Sequence, residues 1–358
     1  MPITDNSKHV DFSQAVLNWF ETHGRKNLPW QLKPNPYRVW ISEIMLQQTQ
    51  VTTVIPYYEN FMQNFPDIKQ LALADEDKVL HHWTGLGYYA RARNLHKTAK
   101  IIHHEHHGVL PSTLDELVEL PGIGKSTAGA IMTLADDKYA VILDGNVKRV
   151  LCRYHCVKGW PGQSDTQKQL WQLAERHTPS SNCRSYTQAM MDLGATLCTR
   201  TKPSCSVCPL QQGCEAYLTQ KTTEFPYKKI KKKLPVKTTQ MLILHDKSGE
   251  KVLLEKRPPS GIWGGLWSFP EIQVNDSISG YLQKYGFVIN AQTMPWNDIH
   301  HTFSHYHLNI KPQILWLAKE PILIMEKPDW HWYDLNSPTE LGLAAPVKTL
   351  LKQLVNQS

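Results

Sequence analysis

Two carboxylates lie in segments where an acidic side chain stands among apolar and amide groups. Glu43 is found in Trp40-Ile-Ser-Glu-Ile-Met-Leu-Gln-Gln-Thr-Gln50, and Asp144 in Leu143-Asp-Gly-Asn-Val-Lys-Arg-Val150. Such settings raise the pKa of one acid while the other stays ionised. Cleavage of an N-glycosidic bond needs a pair of this kind, since one acid protonates the leaving base and one carboxylate faces the developing oxocarbenium ion. Spacing alone favours a helix-capping aspartate and a surface glutamate.

Four of the seven cysteines crowd into residues 198–214 with the spacing Cys-x6-Cys-x2-Cys-x5-Cys. In a reducing compartment this crowding indicates a metal site before it indicates disulfides. Zinc also accepts four thiolates, but its sites usually come as two short pairs separated by a long gap, and this run has one short pair. Together with the rest of the chain, the run favours one 4Fe–4S cluster. The predicted ligands are Cys198, Cys205, Cys208 and Cys214. The thiols without such spacing, predicted to be packed or exposed, are Cys152, Cys156 and Cys183.

A glycine hairpin with phosphate-binding character is predicted in Leu120-Pro-Gly-Ile-Gly-Lys-Ser-Thr-Ala-Gly-Ala130. Gly122 and Gly124 let the backbone approach a ligand closely. The helix that starts after them presents unpaired N–H groups and its positive dipole end, so a phosphate fits there without any base edge being read. The segment is a helix-hairpin-helix signature, with an ordinary helical hairpin as the alternative. It is not a nucleotide P-loop, because its first glycine lies too close to the lysine.

The elements that must hold these groups fall into two regions of different composition. Residues 10–217 are predicted to be mostly helical, from apolar residues at helical spacing and turns at proline. The stretch Lys221–Lys237 carries seven lysines and one acidic residue, which is typical of a solvated linker whose lysines can also reach phosphates. Beyond it the pattern becomes α+β. The predicted boundaries are 1–217 for the helical domain, 218–236 for the linker and 237–358 for the second domain.

The second region has strand patterns in most of its length and a helix pattern at its C-terminal end. Met241–His245 and Lys251–Lys256 flank a turn at residues 246–249, which is a hairpin signature. Residues 306–311 alternate apolar and polar side chains, which predicts a strand with one wet face. The segment after Pro346 has an apolar stripe at helical spacing. We therefore expect a separate folding unit.

Composition indicates an intracellular protein with a polyanionic partner. The 358 residues are too many for one ordinary core. The formal net charge of +7 favours a polyanion modestly. The N-terminal residues lack the basic start and apolar run of a signal peptide, and no stretch reaches the roughly 20 apolar residues that a membrane span needs. We expect a soluble protein without membrane contact.

Taken together, the cysteines, the hairpin and the Leu143-Asp-Gly-Asn146 segment resemble the endonuclease III superfamily of base-excision enzymes. Longer motifs are similar to bacterial adenine DNA glycosylases of the MutY family. These motifs are Ser42-Glu-Ile-Met-Leu-Gln-Gln-Thr-Gln-Val51, Trp83-Thr-Gly-Leu-Gly-Tyr-Tyr-Ala-Arg-Ala-Arg93 and Ala189-Met-Met-Asp-Leu-Gly194. The resemblance runs from about Trp19 to Leu350.

The resemblance implies an architecture and a substrate. The N-terminal region would be a six-helix barrel with a helix-hairpin-helix and an iron–sulfur subdomain, joined by a linker to an α+β Nudix-like domain. The enzyme would act in base excision repair on double-stranded DNA that carries adenine opposite 8-oxoguanine, and also opposite G. It would be a monomer in the bacterial cytoplasm, associated with the nucleoid through DNA.

The resemblance also implies roles for single residues. Glu43 would be the general acid at adenine N7, Asp144 would stabilise or capture C1′, and Asn146 would orient that carboxylate. Gln48 and Tyr88 match residues that wedge into the stack where the base is extruded. The implied lining of the adenine pocket is Arg25, Trp30 and Leu46, with core packing as the alternative for Trp30. The implied DNA contacts of the hairpin and the cysteine loop are Gly122, Gly124, Lys125, Ser126, Arg200 and Lys202. The cluster is expected to fold its loop and present Arg200 and Lys202 to phosphates.

One position departs from the bifunctional members of the superfamily. Those enzymes carry a catalytic lysine two residues after the second hairpin glycine, and here that position is Ser126. The neighbouring Lys125 is turned away by about 100° around a helix. Without an amine to attack C1′, water must finish the reaction. We therefore expect an abasic product and little strand cleavage.

The second domain resembles a Nudix hydrolase without its hydrolytic centre. Lys256-Arg-Pro-Pro-Ser-Gly-Ile-Trp-Gly-Gly-Leu-Trp-Ser-Phe-Pro270 is similar to the nucleotide-binding side of that family. A glutamate cluster would be needed to hold Mg²⁺, and after Pro270 the sequence offers Glu271, Asp276 and scattered polar residues. A recognition module is predicted instead.

Within that domain, His301-Thr-Phe-Ser-His-Tyr306 matches the family's loop for reading 8-oxoguanine. The match implies that Ser304 is the discriminating hydrogen-bond partner, that Phe303 is a stacking wedge and that His305 is a further contact. A plain edge strand is the alternative.

Three other functions compete with this interpretation. One is a bifunctional glycosylase/lyase for oxidised pyrimidines, against which Ser126 and the extra domain count. Another is a non-catalytic DNA-damage binding protein, against which the presence of Glu43 and Asp144 counts. The last is nucleotide hydrolysis by the second domain alone.

Overall fold

The computed structural model describes residues 11–229, 233–290, 293–319 and 327–356. Within these ranges no helix is long and apolar enough to cross a membrane. The contacts divide the chain into two compact units. The first unit combines residues up to Ala72 with residues 97–229, and the second combines Leu73–His96 with the residues from 233 onward.

Helices build the first unit, and two helical segments of the N-terminal region belong to the second. In chain order the helices are α1 (Phe12–His23), α2 (Pro36–Leu46), α3 (Val51–Asn64), α4 (Ile68–Leu73), α5 (Glu76–Trp83), α6 (Ala90–Glu105), α7 (Leu114–Glu119), α8 (Lys125–Asp136), α9 (Gly145–Tyr154), α10 (Ser164–His177), α11 (Cys183–Asp192) and α12 (Glu215–Leu218). Short 3-10 segments lie at Pro29–Gln31, Cys205–Val207 and Gln211–Gly213, and a π-helical turn lies at Leu193–Leu197. Helix α5 and the start of α6 lie in the second unit.

Capping side chains fix the starts of the two helices that carry the carboxylates. Asn35 caps α2 by accepting the Arg38 N–H at 2.8 Å, and Pro36 follows at the first helical position. Asp144 itself caps α9. Its oxygens therefore face the unpaired N–H groups of a helix end.

The segment before Asp144 lies directly on α8 because α8 is rich in small residues. A Cβ added to Gly129 would come within 2.5 Å of the Val141 carbonyl oxygen, so glycine permits this approach. Ala128 and Ala130 on the same helix are also fully buried. The close packing on α8 thus fixes the position of the segment that precedes Asp144.

A mixed sheet forms the centre of the second unit. Its strands are β1 (Val236–His245), β2 (Lys251–Lys256), β3 (Trp267–Ser268), β4 (Glu271–Gln273), β5 (Val288–Ile289), β6 (Met294–Pro295), β7 (Ile299–Thr302), β8 (His307–Lys319) and β9 (Trp330–Asp334). The order along the sheet is β3-β2-β1-β8-β5, with β4 on β1, β6 and β7 on β8, and β9 on β2. β1 and β8 run parallel, and the remaining pairs are antiparallel.

Two helices accompany this sheet, α13 (Ile278–Lys284) and α14 (Ala345–Val355). Apolar side chains from the strands and from the α13 region form one core cluster. Its buried members are Leu242, Leu244, Leu253, Ile272, Leu282, Phe287, Leu315, Leu317 and Trp330.

The structure confirms the fold class and most of the local sheet and helix predictions. The predicted hairpin strands are the end of β1 and the whole of β2, paired antiparallel. Leu308 and Ile310 are buried while Lys311 is exposed, as the alternation predicts. Tyr306, however, lies in the loop before β8. In α14 the apolar stripe after Pro346 is buried.

Regular structure meets the predicted linker, 218–236, within one residue at each end. Helix α12 reaches Leu218, and β1 begins at Val236. Phe225 is buried, and its carbonyl oxygen accepts a hydrogen bond from Arg153 Nε at 3.0 Å. The composition of lysines and prolines did not indicate this packing. Residues 230–232 of the predicted linker lie outside the described residues.

Candidate active site

Glu43 and Asp144 are brought together in the first unit. Glu43 lies on the buried side of α2, flanked by Ser42 and Ile44, and keeps a partly exposed surface. Burial first, and the charge of Asp144 second, raise the pKa of Glu43 to about 8. A carboxyl group with such a pKa holds its proton at neutral pH.

Asp144 is held by donors on both of its oxygens. Oδ1 accepts the Val147 N–H at 2.7 Å, and Oδ2 accepts the side-chain N–H of Asn146 at 3.0 Å. Burial raises the pKa of Asp144, and these hydrogen bonds, together with the Arg149 charge, oppose the rise. Two accepted hydrogen bonds match the pattern of an ionised carboxylate. The pair thus combines one protonated acid with one oriented carboxylate.

Arg149 extends this network from the carboxylate to the cysteine loop. Its Nη2 donates to Asn146 Oδ1 at 2.8 Å and to the Gly194 carbonyl oxygen at 2.7 Å. Its Nε donates to the Cys198 carbonyl oxygen at 2.7 Å. One guanidinium therefore fixes the amide that orients Asp144, the backbone within the π-helical turn at Gly194 and the backbone just after it at Cys198.

The hairpin between α7 and α8 has the predicted geometry. Gly122 has φ +82°, and Gly124 caps α8 without a side-chain hydrogen bond, so the helix N-terminus keeps open donors. Ser126, the second residue of α8, is half-buried. Its Oγ accepts the Leu143 N–H at 3.0 Å, so it holds the residue that precedes Asp144.

Lys125, the first residue of α8, is exposed, and its Nζ lies 4.5 Å from the centre of the Trp171 ring on α10. This cation–π contact limits the freedom of a side chain predicted to reach DNA.

Gln48 and Tyr88, the predicted wedge residues, each have a left-handed backbone. Gln48 has φ +59° after the end of α2, and Tyr88 has φ +49° in the turn between α5 and α6. Tyr88 is 50% exposed. Such conformations are uncommon for residues other than glycine and concentrate at functional sites.

The predicted adenine-pocket residues differ in their surroundings. Trp30 is buried and packs edge-on against Tyr58 at 5.4 Å between ring centres, as the core-packing alternative expects. Arg25 forms an ion pair with buried Asp192, with Nη2 and Oδ1 2.5 Å apart. Leu46 is the last residue of α2, one turn after Glu43, and is half-buried.

The four clustered cysteines fit an iron–sulfur cluster by the chemistry of their donor set. All four thiols are half-buried. Burial raises the pKa of Cys208 to about 12, and the thiols of Cys198, Cys205 and Cys214 add to the rise. Arg153 Nη1 lies 3.2 Å from Cys198 Sγ, a donor of the kind that tunes cluster sulfurs. In the described part of the chain, no set of three or more His, Cys, Asp or Glu side chains is arranged as a closed metal site.

Arg200 and Lys202 on this loop are exposed. Cys152 and Cys183 are buried and Cys156 is half-buried, which agrees with their prediction as packed or exposed thiols.

In the second unit, Phe303–Tyr306 forms a short loop between β7 and β8. Ser304 and His305 are exposed at its tip, while Phe303 is half-buried. Glu271, one of the carboxylates considered for Mg²⁺, forms an ion pair with Arg257.

Comparison with known proteins gives a family for each of the two regions of the sequence. Residues 41–176 match the HhH-GPD superfamily of base excision DNA repair proteins, and residues 240–353 match the NUDIX domain. The adenine DNA glycosylase of Buchnera aphidicola subsp. Baizongia pistaciae is 43% identical over 96% of this chain and 96% of its own. The adenine DNA glycosylase of Homo sapiens is 31% identical over 92% of this chain and 71% of its own. This chain belongs to the adenine DNA glycosylase family.

A solved structure of a thermostable thymine-DNA glycosylase aligns with this adenine DNA glycosylase at a TM-score of 0.52 and 28% identity. The alignment covers 58% of this chain and 95% of the other. The predicted identity, the helix-hairpin-helix and Nudix-like fold and the glycosylase activity in base excision repair are confirmed. Enzymes of this family usually carry an iron–sulfur cluster, and homologues bind DNA.

Sequence reasoning missed two arginines of the adenine DNA glycosylase. Arg149 and Arg153 lie one turn apart on α9, and Arg153 is only 2% exposed. The carbonyl oxygens that accept hydrogen bonds from Arg153 belong to Thr199, Arg200, Thr222 and Phe225. The available signal was the spacing of four residues, which places both arginines on one face of a helix that is otherwise buried there. A buried arginine must find hydrogen-bond acceptors, so this spacing could have indicated a structural network.

Replacing Gly194 with alanine is expected to lower the glycosylase rate about tenfold or more while costing about 1–3 kcal/mol of stability, because the core has no room for an added methyl group. The new Cβ would lie 2.4 Å from Asn146 Cβ and 2.9 Å from its Cα. Displaced Asn146 would release Asp144. Single-turnover rates well below the melting temperature, with a melting curve, measure the two effects.

Gly280→Ala is the matched control, because its Cβ would meet only ordinary contacts at 3.6 Å. An unchanged rate for Gly194→Ala would show that Asn146 is not held by this contact.

Proposed function

We propose that this adenine DNA glycosylase hydrolyses the N-glycosidic bond of adenine opposite 8-oxoguanine, and also opposite G, as a monomer on double-stranded DNA. The observation that carries the chemistry is the Glu43–Asp144 pair, with one pKa raised to about 8 and one carboxylate held by two donors. Specificity for the opposite base is assigned to the exposed tip of the loop Phe303–Tyr306.

Each residue of the pair has one task. Glu43 is protonated at neutral pH and donates to adenine N7, which makes the base a neutral leaving group. Asp144 faces C1′ and stabilises the positive charge that develops as the bond breaks. Asn146 and Arg149 hold Asp144 in place. Water then completes the reaction at C1′.

The reaction ends at the abasic site. Ser126 Oγ is engaged with the Leu143 N–H, and a hydroxyl group is no substitute for the amine of a bifunctional enzyme. Lys125 lies against the Trp171 ring. This arrangement supports hydrolysis without strand cleavage.

A duplex with a single adenine opposite 8-oxoguanine tests the proposal. We expect base loss with no nick until alkali is added, and no stoichiometric adduct on borohydride treatment. A nick before alkali, or a trapped adduct that depends on Lys125, would support a lyase. Binding without base loss would support a non-catalytic damage-binding protein, and release of pyrophosphate from a triphosphate with Mg²⁺ would support nucleotide hydrolysis by the second domain.

Cys198, Cys205, Cys208 and Cys214 hold one 4Fe–4S cluster in this proposal. When bound, the cluster cross-links its loop, which presents Arg200 and Lys202 to phosphates. Hydrolysis of the glycosidic bond needs no electron. An iron assay with a broad visible absorbance band supports the cluster, and purified protein with zinc and no iron contradicts it.

Replacing Ser304 with alanine is expected to reduce the preference for 8-oxoguanine over guanine about two- to tenfold, which corresponds to one lost hydrogen bond. Single-turnover rates on the two duplexes give the ratio. Ser279→Ala, an exposed serine of α13, serves as the control. An unchanged ratio for Ser304→Ala rejects the role of Ser304.

A further inference from the structure

The loop proposed to read 8-oxoguanine and the turn that carries Tyr88 lie in the same compact unit. The reading loop (Phe303–Tyr306) is closed by a hydrogen bond from the Phe303 N–H to the Tyr306 carbonyl oxygen at 2.9 Å. The Tyr88 turn (residues 84–89) precedes α6. A chain of contacts joins the two.

Trp263 is the first member of that chain. Its ring centre lies 5.2 Å from that of Phe303 and 5.5 Å from that of His301, and the side chain is 8% exposed. Its backbone has φ +54°, which a bulky residue rarely adopts and which persists only when the surroundings determine it. The loop between β2 and β3 thus places Trp263 under the reading loop.

Arg93 joins the next residues to α6. Its Nη1 donates to the Gly264 carbonyl oxygen. A Cβ added to Gly265 would lie 3.5 Å from Arg93 Cδ and 3.3 Å from Glu76 Oε1. The loop that carries Trp263 is therefore seated on α5 and α6.

The same helix start holds the Tyr88 turn. The Arg93 N–H donates to the Tyr89 carbonyl oxygen at 3.1 Å. The Tyr89 hydroxyl donates to the Leu343 carbonyl oxygen at 3.2 Å and accepts the Gly85 N–H at 3.3 Å. The Tyr89 hydroxyl thus joins the start of the turn to its end and ties that end to the C-terminal chain, while Tyr88 itself is 50% exposed.

We propose that Trp263 and Arg93 are positioning residues that couple reading of the base opposite adenine to the placement of Tyr88. The inference rests on the proposed function, because the reading loop must contact 8-oxoguanine for its position to matter. Through Phe303, Trp263, Gly264 and Arg93, a correctly bound 8-oxoguanine stabilises the turn whose side chain wedges into the stack. In an A:G pair the reading loop has no 8-oxoguanine to bind, so the connection does not stabilise the Tyr88 turn.

The test compares single-turnover rates on adenine opposite 8-oxoguanine and opposite guanine. Trp263→Leu is expected to lower the ratio of these rates about tenfold, a usual size for coupling between sites, with the rate on A:G changed less than about twofold. Trp263→Phe, which keeps a ring against Phe303, retains most of the ratio. Trp316→Leu is the matched control, because Trp316 stacks on His245 at 5.5 Å and has no described contact with the reading loop.

Arg93→Lys tests the other end of the connection, since lysine keeps the charge but loses the planar donor. With 2-aminopurine in place of adenine, unstacking increases fluorescence. We expect a smaller increase opposite 8-oxoguanine in Arg93→Lys and Trp263→Leu than in the wild type. Adding Trp263→Leu to Ser304→Ala lowers the ratio by less than the product of the single effects, because both act on one connection.

A Trp263→Leu ratio within about twofold of the wild type overturns the coupling. Equal slowing on both duplexes also overturns it, because that pattern belongs to a merely structural residue. A wild-type ratio near one is a different result, since it removes the proposed 8-oxoguanine specificity itself.

Discussion

Replacing Glu43 with glutamine is expected to lower the rate of adenine removal by about a hundred- to ten-thousandfold, the usual contribution of a positioned general acid. Glutamine has nearly the same shape and is neutral, as Glu43 is below its pKa of about 8. The variant therefore loses the proton to be donated and little else. Single-turnover rates at saturating enzyme measure the loss of rate.

DNA affinity separates this effect from damage to the fold. We expect Glu43→Gln to bind the duplex nearly as tightly as the wild type, because no charge is removed at neutral pH. Glu59→Gln, an exposed position on α3, is the matched control and should leave the rate unchanged. A Glu43→Gln enzyme that keeps more than about a tenth of the rate would exclude Glu43 as the general acid.

Replacing Asp144 with asparagine is expected to lower the rate about a hundred- to a thousandfold, the usual loss when a fixed group no longer stabilises transition-state charge. Asparagine caps helices about as well as aspartate, so the start of α9 at Gly145 stays intact. The change removes the negative charge that is proposed to face C1′.

Asp11→Asn provides the matched control, because Asp11 caps α1 by accepting the Ser13 N–H at 3.0 Å. Both variants should melt near the wild-type temperature, and only Asp144→Asn should lose activity. If the two lost activity alike, the effect would belong to capping and not to catalysis.

The local settings of Glu43 and Asp144 were predictable from sequence, and the family resemblance added the proposal that the two act as a catalytic pair. An acid inside an apolar helix and an aspartate at a helix start are both visible within ten residues, and the cysteine spacing is equally local. The hairpin at Gly122 and Gly124 was predictable for the same reason, since its turn depends on residue type.

The resemblance implied Asn146 as the residue that orients Asp144, but the contacts of Arg149 and of the Ser126 hydroxyl were not predictable in this way. Arg149 donates a hydrogen bond to the carbonyl oxygen of Cys198. Every residue has such an oxygen, so the residue types do not indicate which one accepts. The hydrogen bond from the Leu143 N–H to the Ser126 hydroxyl was hidden as well, because the position of that N–H depends on how the preceding residues pack against Gly129. The DNA contact expected of Ser126 stays a prediction. Trp30 packs against Tyr58, which is the core-packing alternative weighed for it, and its place in the adenine pocket stays a prediction.

The association of Leu73–His96 with the C-terminal chain was also hidden from the sequence. It depends on long-range contacts, such as Lys256 Nζ to Asp77 Oδ2 at 3.0 Å and Trp267 Nε1 to Asp77 Oδ1 at 3.1 Å. Periodicity within α5 reports its buried face but not the partner that covers it.

The dependence of kcat/KM on pH tests the central claim, that Glu43 delivers a proton to adenine. The profile is measured from about two pH units below the Glu43 pKa to about two above it, since kcat/KM reports the ionisation of the free enzyme. Above the pKa of about 8, Glu43 ionises and has no proton to give, so the rate should fall nearly tenfold per pH unit. The small residual rate of Glu43→Gln should lack this fall. A wild-type profile that stays flat or rises across that pKa, or the same fall in Glu43→Gln, would contradict the account.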